Sequence, residues 1–138
     1  MDTNFPWVAV VDDEAAIRRA LVRLLRSVGI PAQAFASGAS LIDALAGGAP
    51  CCAVLDVHMP AMSGFDVQER LAQVSPRTGV VFVTGRHNPE DYARALRLRP
   101  AAYLRKPMDS KALLDAVTMA CTSWAHSKQR EEYHDQSS

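Results

Sequence analysis

Three short runs of apolar, largely β-branched residues each end abruptly at a polar side chain. Val8-Ala9-Val10-Val11 runs into Asp12-Asp13, Cys52-Ala53-Val54-Leu55 into Asp56, and Val80-Val81-Phe82-Val83 into Thr84. A weaker run, Ala101-Ala102-Tyr103-Leu104, precedes Lys106. Unbroken apolar runs of this length, bounded by polar or turn residues, predict strands buried on both faces. Between them the period changes. Ile17, Leu21, Leu24, Leu25 and Val28 recur at helical spacing and predict a helix over 14–28 with Gly29 as its stop. Residues 30–35 predict a second, weaker strand. Ser37 or Ser40 can cap a helix through Leu41, Ile42, Leu45 and Ala46 that ends at Gly47-Gly48. A third helix fits 64–74 on Phe65, Val67 and Leu71, after a loop punctuated by Pro60 and Gly64. Pro89 suits the first position of a fourth helix, which runs to about 98. A fifth begins near Asp109 or Ser110, with Leu113, Leu114, Val117 and Cys121 as its apolar face.

Five strands alternating with five helices predict an α/β fold with right-handed crossovers, a parallel sheet covered on both faces. Ligands of an open parallel sheet bind outside the carboxyl ends of its strands. Asp12, Asp13, Asp56, Thr84 and Lys106 are therefore expected at one sheet edge despite their separation in sequence. Residues 126–138 carry no apolar stripe and read as a frayed helical extension, a disordered tail or the start of a linker.

Composition narrows the class. A chain of 138 residues, about half of them apolar, suits one domain with a sizeable core and excludes general disorder. Fifteen basic residues balance 15 acidic ones, which gives no general electrostatic case for nucleic acid or an anionic membrane. No apolar stretch approaches the roughly 20 residues of a membrane span. The start, Met1 to Pro6, lacks the regions of a signal peptide. A soluble cytoplasmic protein is the expectation. Three cysteines make no disulfide framework, and no C-x-x-C spacing is present, so Cys51, Cys52 and Cys121 are expected as small buried or half-buried thiols.

The clustered residues suggest a chemistry. Carboxylates gathered at one edge repel one another and titrate as a coupled group. A divalent cation relieves that repulsion, and oxygen ligands with retained waters favour Mg²⁺. Asp56 can act as a nucleophile that forms an acyl phosphate. Lys106 supplies a point positive charge for phosphoryl oxygens, and Thr84 a hydroxyl donor.

Four motifs together carry a resemblance: Val-Val-Asp-Asp-Glu at 10–14, Leu-Asp-Val-His-Met-Pro-Ala-Met-Ser-Gly at 55–64, Val-Thr-Gly at 83–85 and Lys-Pro at 106–107. In this order, and at these strand ends, they make nearly the whole span from 7 to about 125 resemble the receiver domain of two-component response regulators. The resemblance implies a doubly wound, flavodoxin-like sheet in the order 2-1-3-4-5, with a receiver over 5–125 and a polar tail or linker start over 126–138. It implies that Asp56 is the phosphoacceptor, receiving phosphate from a sensor histidine kinase or histidine phosphotransfer protein. Asp13 and Asp56 would ligate Mg²⁺, Asp12 largely through water, and the backbone carbonyl of His58 would be a further ligand. Thr84 and Lys106 would contact the phosphoryl group, the Lys106-Pro107 bond would be cis, and Tyr103 would be the switch aromatic. Phosphorylation would then alter the surface made by the fourth helix, fifth strand and fifth helix, with a homodimer as one outcome. His58 departs from the asparagine, arginine or methionine often found there, which puts the lifetime of the phosphorylated state in question. Its imidazole is not expected on the metal, because Mg²⁺ prefers oxygen.

The function expected is a signalling switch that catalyses its own phosphorylation and dephosphorylation and is not a metabolic enzyme. A single-domain regulator, binding no nucleic acid or membrane by itself, is the first reading. The alternative is the receiver part of a helix-turn-helix transcription factor. A more distant one is a phosphatase of the haloacid dehalogenase type. That family needs a second acid two residues after its nucleophile, where this chain has His58.

Overall fold

The computed structural model describes residues 6–137, with side chains through 127. The chain alternates β1 (Val8–Val11), α1 (Ala15–Ser27), β2 (Ala32–Phe35), α2 (Gly38–Ala44), β3 (Cys52–Asp56), α3 (Gly64–Val74), β4 (Gly79–Thr84), α4 (Pro89–Arg97), β5 (Ala102–Arg105) and α5 (Ser110–Ser137), with one 3-10 turn at Leu45–Gly47 after α2. All five strands are parallel, in the order β2-β1-β3-β4-β5. The alternating pattern predicts this α/β parallel sheet, and the doubly wound strand order is the one that the resemblance implies.

The strand period divides the core into two layers. Val8, Val10, Val54, Val81 and Val83 face α1 and α5, packing with Leu21, Leu25, Leu113 and Val117. Ala9, Val11, Ala53, Leu55, Val80 and Phe82 point the other way and meet Leu41, Phe65, Val67, Leu71 and Ala95. Successive strand residues alternate sides, so an unbroken apolar run is needed to fill both layers. Phe65 meets the Phe82 ring edge-on at 5.1 Å, which joins α3 to the centre of the sheet.

Local signals set the helix ends. The Ser37 hydroxyl, not that of Ser40, caps α2 by accepting the Ser40 N–H at 3.2 Å. Ser63 and Asp66 form a reciprocal capping box at the start of α3. Pro89 opens α4, where Asn88 accepts the Asp91 N–H at 2.9 Å. At the end of α1, Gly29 (φ +83°) donates to the Arg26 carbonyl and Ile30 to that of Leu25, a Schellman motif. Ile30 is thereby spent on the helix cap, which is why β2 starts later than its apolar run. Val28, expected on the α1 core face, is 54% exposed, and Val22 is buried in its place. Val28 occupies the cap with non-helical backbone (φ −107°, ψ 17°), so helical spacing no longer governs where it points.

The cysteine expectation is corrected. Cys51 and Cys121 form a disulfide across 70 positions, with Cα atoms 4.9 Å apart, and Cys52 is the buried free thiol. Spacing rules compare neighbours along the chain, whereas here α5 crosses the amino edge of the sheet. The crossing is close: a Cβ on Gly79 would lie 2.6 Å from that of Ala120. The backbone of α5 continues as helix to Ser137. Among the described residues no helix is long and apolar enough to cross a membrane.

Candidate functional site

Parallel register carries each strand-end residue to the same edge. Val11 pairs with Leu55, so Asp12 and Asp56 leave neighbouring strands side by side. On the other side of β3, Asp56 pairs with Val83, and Thr84 with Arg105, just before Lys106. Carboxylate oxygens of Asp12, Asp13 and Asp56 all lie within 4.8 Å of one another. Lys106 reaches across: its Nζ donates to Asp12 Oδ2 at 3.0 Å and stands 3.5 Å from Asp56 Oδ1. Asp12 and Asp56 are buried and Asp13 is exposed, so the cluster opens to solvent on the Asp13 side.

Fixed backbone groups hold these side chains. Asp12 Oδ1 accepts the Glu14 N–H at 2.9 Å, and the Asp12 carbonyl accepts from the Arg18 guanidinium at 2.8 Å. Gly64 packs against β3 so tightly that a Cβ there would lie 2.5 Å from the Asp56 carbonyl oxygen. Its N–H donates to the Val57 carbonyl at 3.0 Å. The glycine in the 55–64 motif therefore lets α3 start directly against the strand that carries Asp56.

Electrostatics leave the site short of positive charge. Burial raises the Asp56 pKa to about 6 from 3.8; the Asp12 carboxylate adds to the rise, Lys106 and the His58 backbone N–H oppose it, and Asp13 raises it further. Burial alone would lower the Lys106 pKa, but the Asp12 hydrogen bond and the charges of Asp56, Asp12 and Glu14 leave it raised. One ammonium among three carboxylates is a site that a divalent cation would complete through oxygen ligands.

The remaining expected residues take distinct positions. The Thr84 hydroxyl donates to the Arg86 carbonyl at 2.8 Å and accepts the Arg86 N–H at 3.1 Å, so it serves its own loop and not the carboxylates. Tyr103 pairs with Phe82 in the sheet and sets its ring edge-on to Tyr92 at 5.3 Å and to His87 at 6.4 Å. Its buried hydroxyl lies beside the Thr84 side chain without closing a hydrogen bond to it. Burial, then the Asp91 carboxylate, raise the Tyr103 pKa, while Arg105 and the nearby Thr84 side chain act against the rise. The His58 imidazole turns to α4, with Nε2 3.1 Å from Asp91 Oδ2. The Lys106-Pro107 bond is cis.

Sequence reasoning did not single out Arg18 or Asp91. Asp91 is visible only as the third residue after Asn88, a spacing that signals a helix start and says nothing of His58. Arg18 is one of several arginines in α1, and only its position one turn into the helix marks it.

Comparison with known proteins agrees with this geometry. A family model of the response regulator receiver domain matches residues 8–118. Nodulation protein W of Bradyrhizobium diazoefficiens is 36% identical over 113 residues, covering 82% of this chain and 50% of that protein. The transcriptional regulatory protein FixJ of Azorhizobium caulinodans is 32% identical over 128 residues, covering 91% of this chain and 59% of that protein. Among solved structures, a response regulator receiver protein from Burkholderia phymatum is 39% identical with a TM-score of 0.75, covering 86% of this chain and 96% of that one. The chain thus spans about half the length of these two curated relatives.

Proposed function

Because the chain belongs to the response regulator receiver domain family, we propose that it is a phosphorylation switch whose phosphoacceptor is Asp56. The observation that carries this reading is one ammonium, Lys106, within 3.0 and 3.5 Å of two buried carboxylates at a single sheet edge. A phosphohistidine on a sensor histidine kinase or a histidine phosphotransfer protein is the donor. An Asp56 oxygen attacks the phosphorus in line, the P–N bond breaks, and the donor imidazole leaves with a proton from solvent. Asp13, Asp56 and the His58 carbonyl would hold Mg²⁺, with Asp12 acting largely through water. Bound there, the ion would neutralise charge on the phosphoryl oxygens.

Lys106 follows the charge, exchanging carboxylate contacts for a phosphoryl oxygen. Thr84 has to release the Arg86 carbonyl before its hydroxyl can donate to the same group. That movement vacates space beside Tyr103, whose buried hydroxyl and ring contacts to Tyr92 tie the change to the α4–β5–α5 surface. Phosphorylation shifts this surface only as far as its contacts differ between the two states.

The receiver unit is taken as 5–125, and 126–138 as a tail or the first turns of a linker. As a single-domain regulator the chain would work in the cytoplasm through a protein partner or a second copy of itself, without nucleic acid or membrane. A second reading has an observation in its favour: the chain covers about half of relatives that include a transcriptional regulatory protein. There the same surface would control a helix-turn-helix DNA-binding domain that is absent from this chain, and the length of the native reading frame separates the two.

Acetyl phosphate with Mg²⁺ should add one phosphoryl group per chain by intact mass, and chelation by EDTA should abolish the addition. Steady turnover of p-nitrophenyl phosphate without a stoichiometric adduct would instead favour a phosphatase of the haloacid dehalogenase type.

A further inference from the structure

A disulfide, Cys51–Cys121, lies at the opposite edge of the sheet. Cys51 immediately precedes β3, at its amino end, whereas Asp56 ends that strand. The backbone of Cys51 is pinned between two strands: its N–H donates to the Trp7 carbonyl at 2.9 Å, and its carbonyl accepts the Gly79 N–H at 3.0 Å. Cys121 comes to it on α5, where Ala120 leaves no room for a side chain at Gly79. One partner is thus a fixed anchor in the sheet, and the other rides on a helix.

The two cysteines differ in exposure. Cys51 is 1% exposed. Cys121 is half-buried and lines a surface groove with Ile30, Pro31, Val117, Thr122 and His126. The groove offers a small disulfide or thiol an approach to Cys121, whereas Cys51 is closed to solvent. Cys52, the adjacent thiol, stays out of the exchange: it is fully buried, and burial pushes its pKa up to about 12.

The position on α5 gives the pair a consequence. The match to the receiver family ends at 118, whereas α5 continues to Ser137. The disulfide lies in the last turns of α5 that pack on the sheet core, just before the 126–138 extension.

We propose that Cys51 and Cys121 are a reversible thiol–disulfide pair that clamps the root of the α5 extension to the sheet, closed by small disulfides and opened by small thiols. In closing, the Cys121 thiol loses its proton to solvent and attacks one sulfur of a disulfide such as glutathione disulfide, expelling one glutathione thiolate. Cys51 then attacks the Cys121 sulfur of the mixed disulfide and expels the second. Two protein thiols are oxidised by two electrons, and one glutathione disulfide is reduced to two thiols. The clamp requires nothing of the acidic site.

The test is exchange on the folded chain. Protein treated with glutathione disulfide, then denatured and alkylated with N-ethylmaleimide, should take up one maleimide, at Cys52, and yield a linked Cys51–Cys121 peptide. Prior treatment of the folded protein with glutathione should raise the uptake to three and reduce hydrogen-exchange protection in α5 peptides around 119–127. Cys51→Ser should stop at a stable glutathione adduct on Cys121, whereas Cys121→Ser should form no adduct while folded. Uptake of three maleimides after glutathione disulfide, a linked peptide containing Cys52, a pair that opens only on unfolding, or unchanged α5 protection would overturn the proposal. The wild-type arms stand even if Cys51→Ser does not fold.

Discussion

Lys106→Ala should slow labelling of Asp56 by acetyl phosphate about 100-fold, the usual scale for removing one preorganised charge from a transition state. The same substitution should destabilise the chain by about 2 kcal/mol without divalent cation, because breaking a buried pair leaves its partner charges uncompensated. Two buried carboxylates depend on this ammonium: Asp12 at 3.0 Å and Asp56 at 3.5 Å. The loss falls below the full cost of an orphaned buried charge because Asp56 can retain a proton. Added Mg²⁺ should restore more stability in the variant than it adds to the wild type, since no ammonium competes for the carboxylate oxygens. Denaturant titrations with and without Mg²⁺ measure the second effect. Equal labelling rates in the two proteins would remove Lys106 from the phosphoryl site.

Asp56→Asn should stabilise the chain at neutral pH, by about 2 kcal/mol in the absence of divalent cation. The sign follows from the raised pKa. The folded carboxyl titrates near 6 and its ordinary value is 3.8. Between those values the folded state keeps a proton that the unfolded chain has lost. Wild-type stability therefore falls as pH rises through the window, and the whole penalty is present above it. Asn has similar volume and no charge, so the gain should be full above about pH 6 and vanish below about pH 4. Mg²⁺ should narrow the gap by stabilising the wild type more than the variant, which keeps only Asp12 and Asp13. A stability difference independent of pH would place the cause in packing and not in charge.

Much of this fold was legible because its signals are periodic. The runs before Asp12, Asp56 and Thr84 are short, β-branched and bounded by polar residues, which marks strands buried on both sides, and parallel strands bring their carboxyl ends together. The cis Lys106-Pro107 bond came from the resemblance and is present. Errors arose where one backbone group served two elements or where contact was distant in sequence. Ile30 caps α1 when it might have extended β2, and Val28 leaves the helical stripe at the cap. The Cys51–Cys121 bond joins two elements that no local spacing relates. Side-chain direction was also beyond the pattern. The strand end of Thr84 was foreseeable, but its hydroxyl pairing with Arg86 was not. His58 could be placed beside the site, whereas its contact with Asp91 needed the position of α4.

If Asp56 is the nucleophile in a single cradle of carboxylates, ammonium and Mg²⁺, replacing it must abolish phosphorylation. Intact-mass labelling by acetyl phosphate with Mg²⁺, run in parallel on the wild type and Asp56→Asn, decides this. One phosphoryl group on the wild type and none on the variant is the result expected. Equal labelling of both proteins would contradict it.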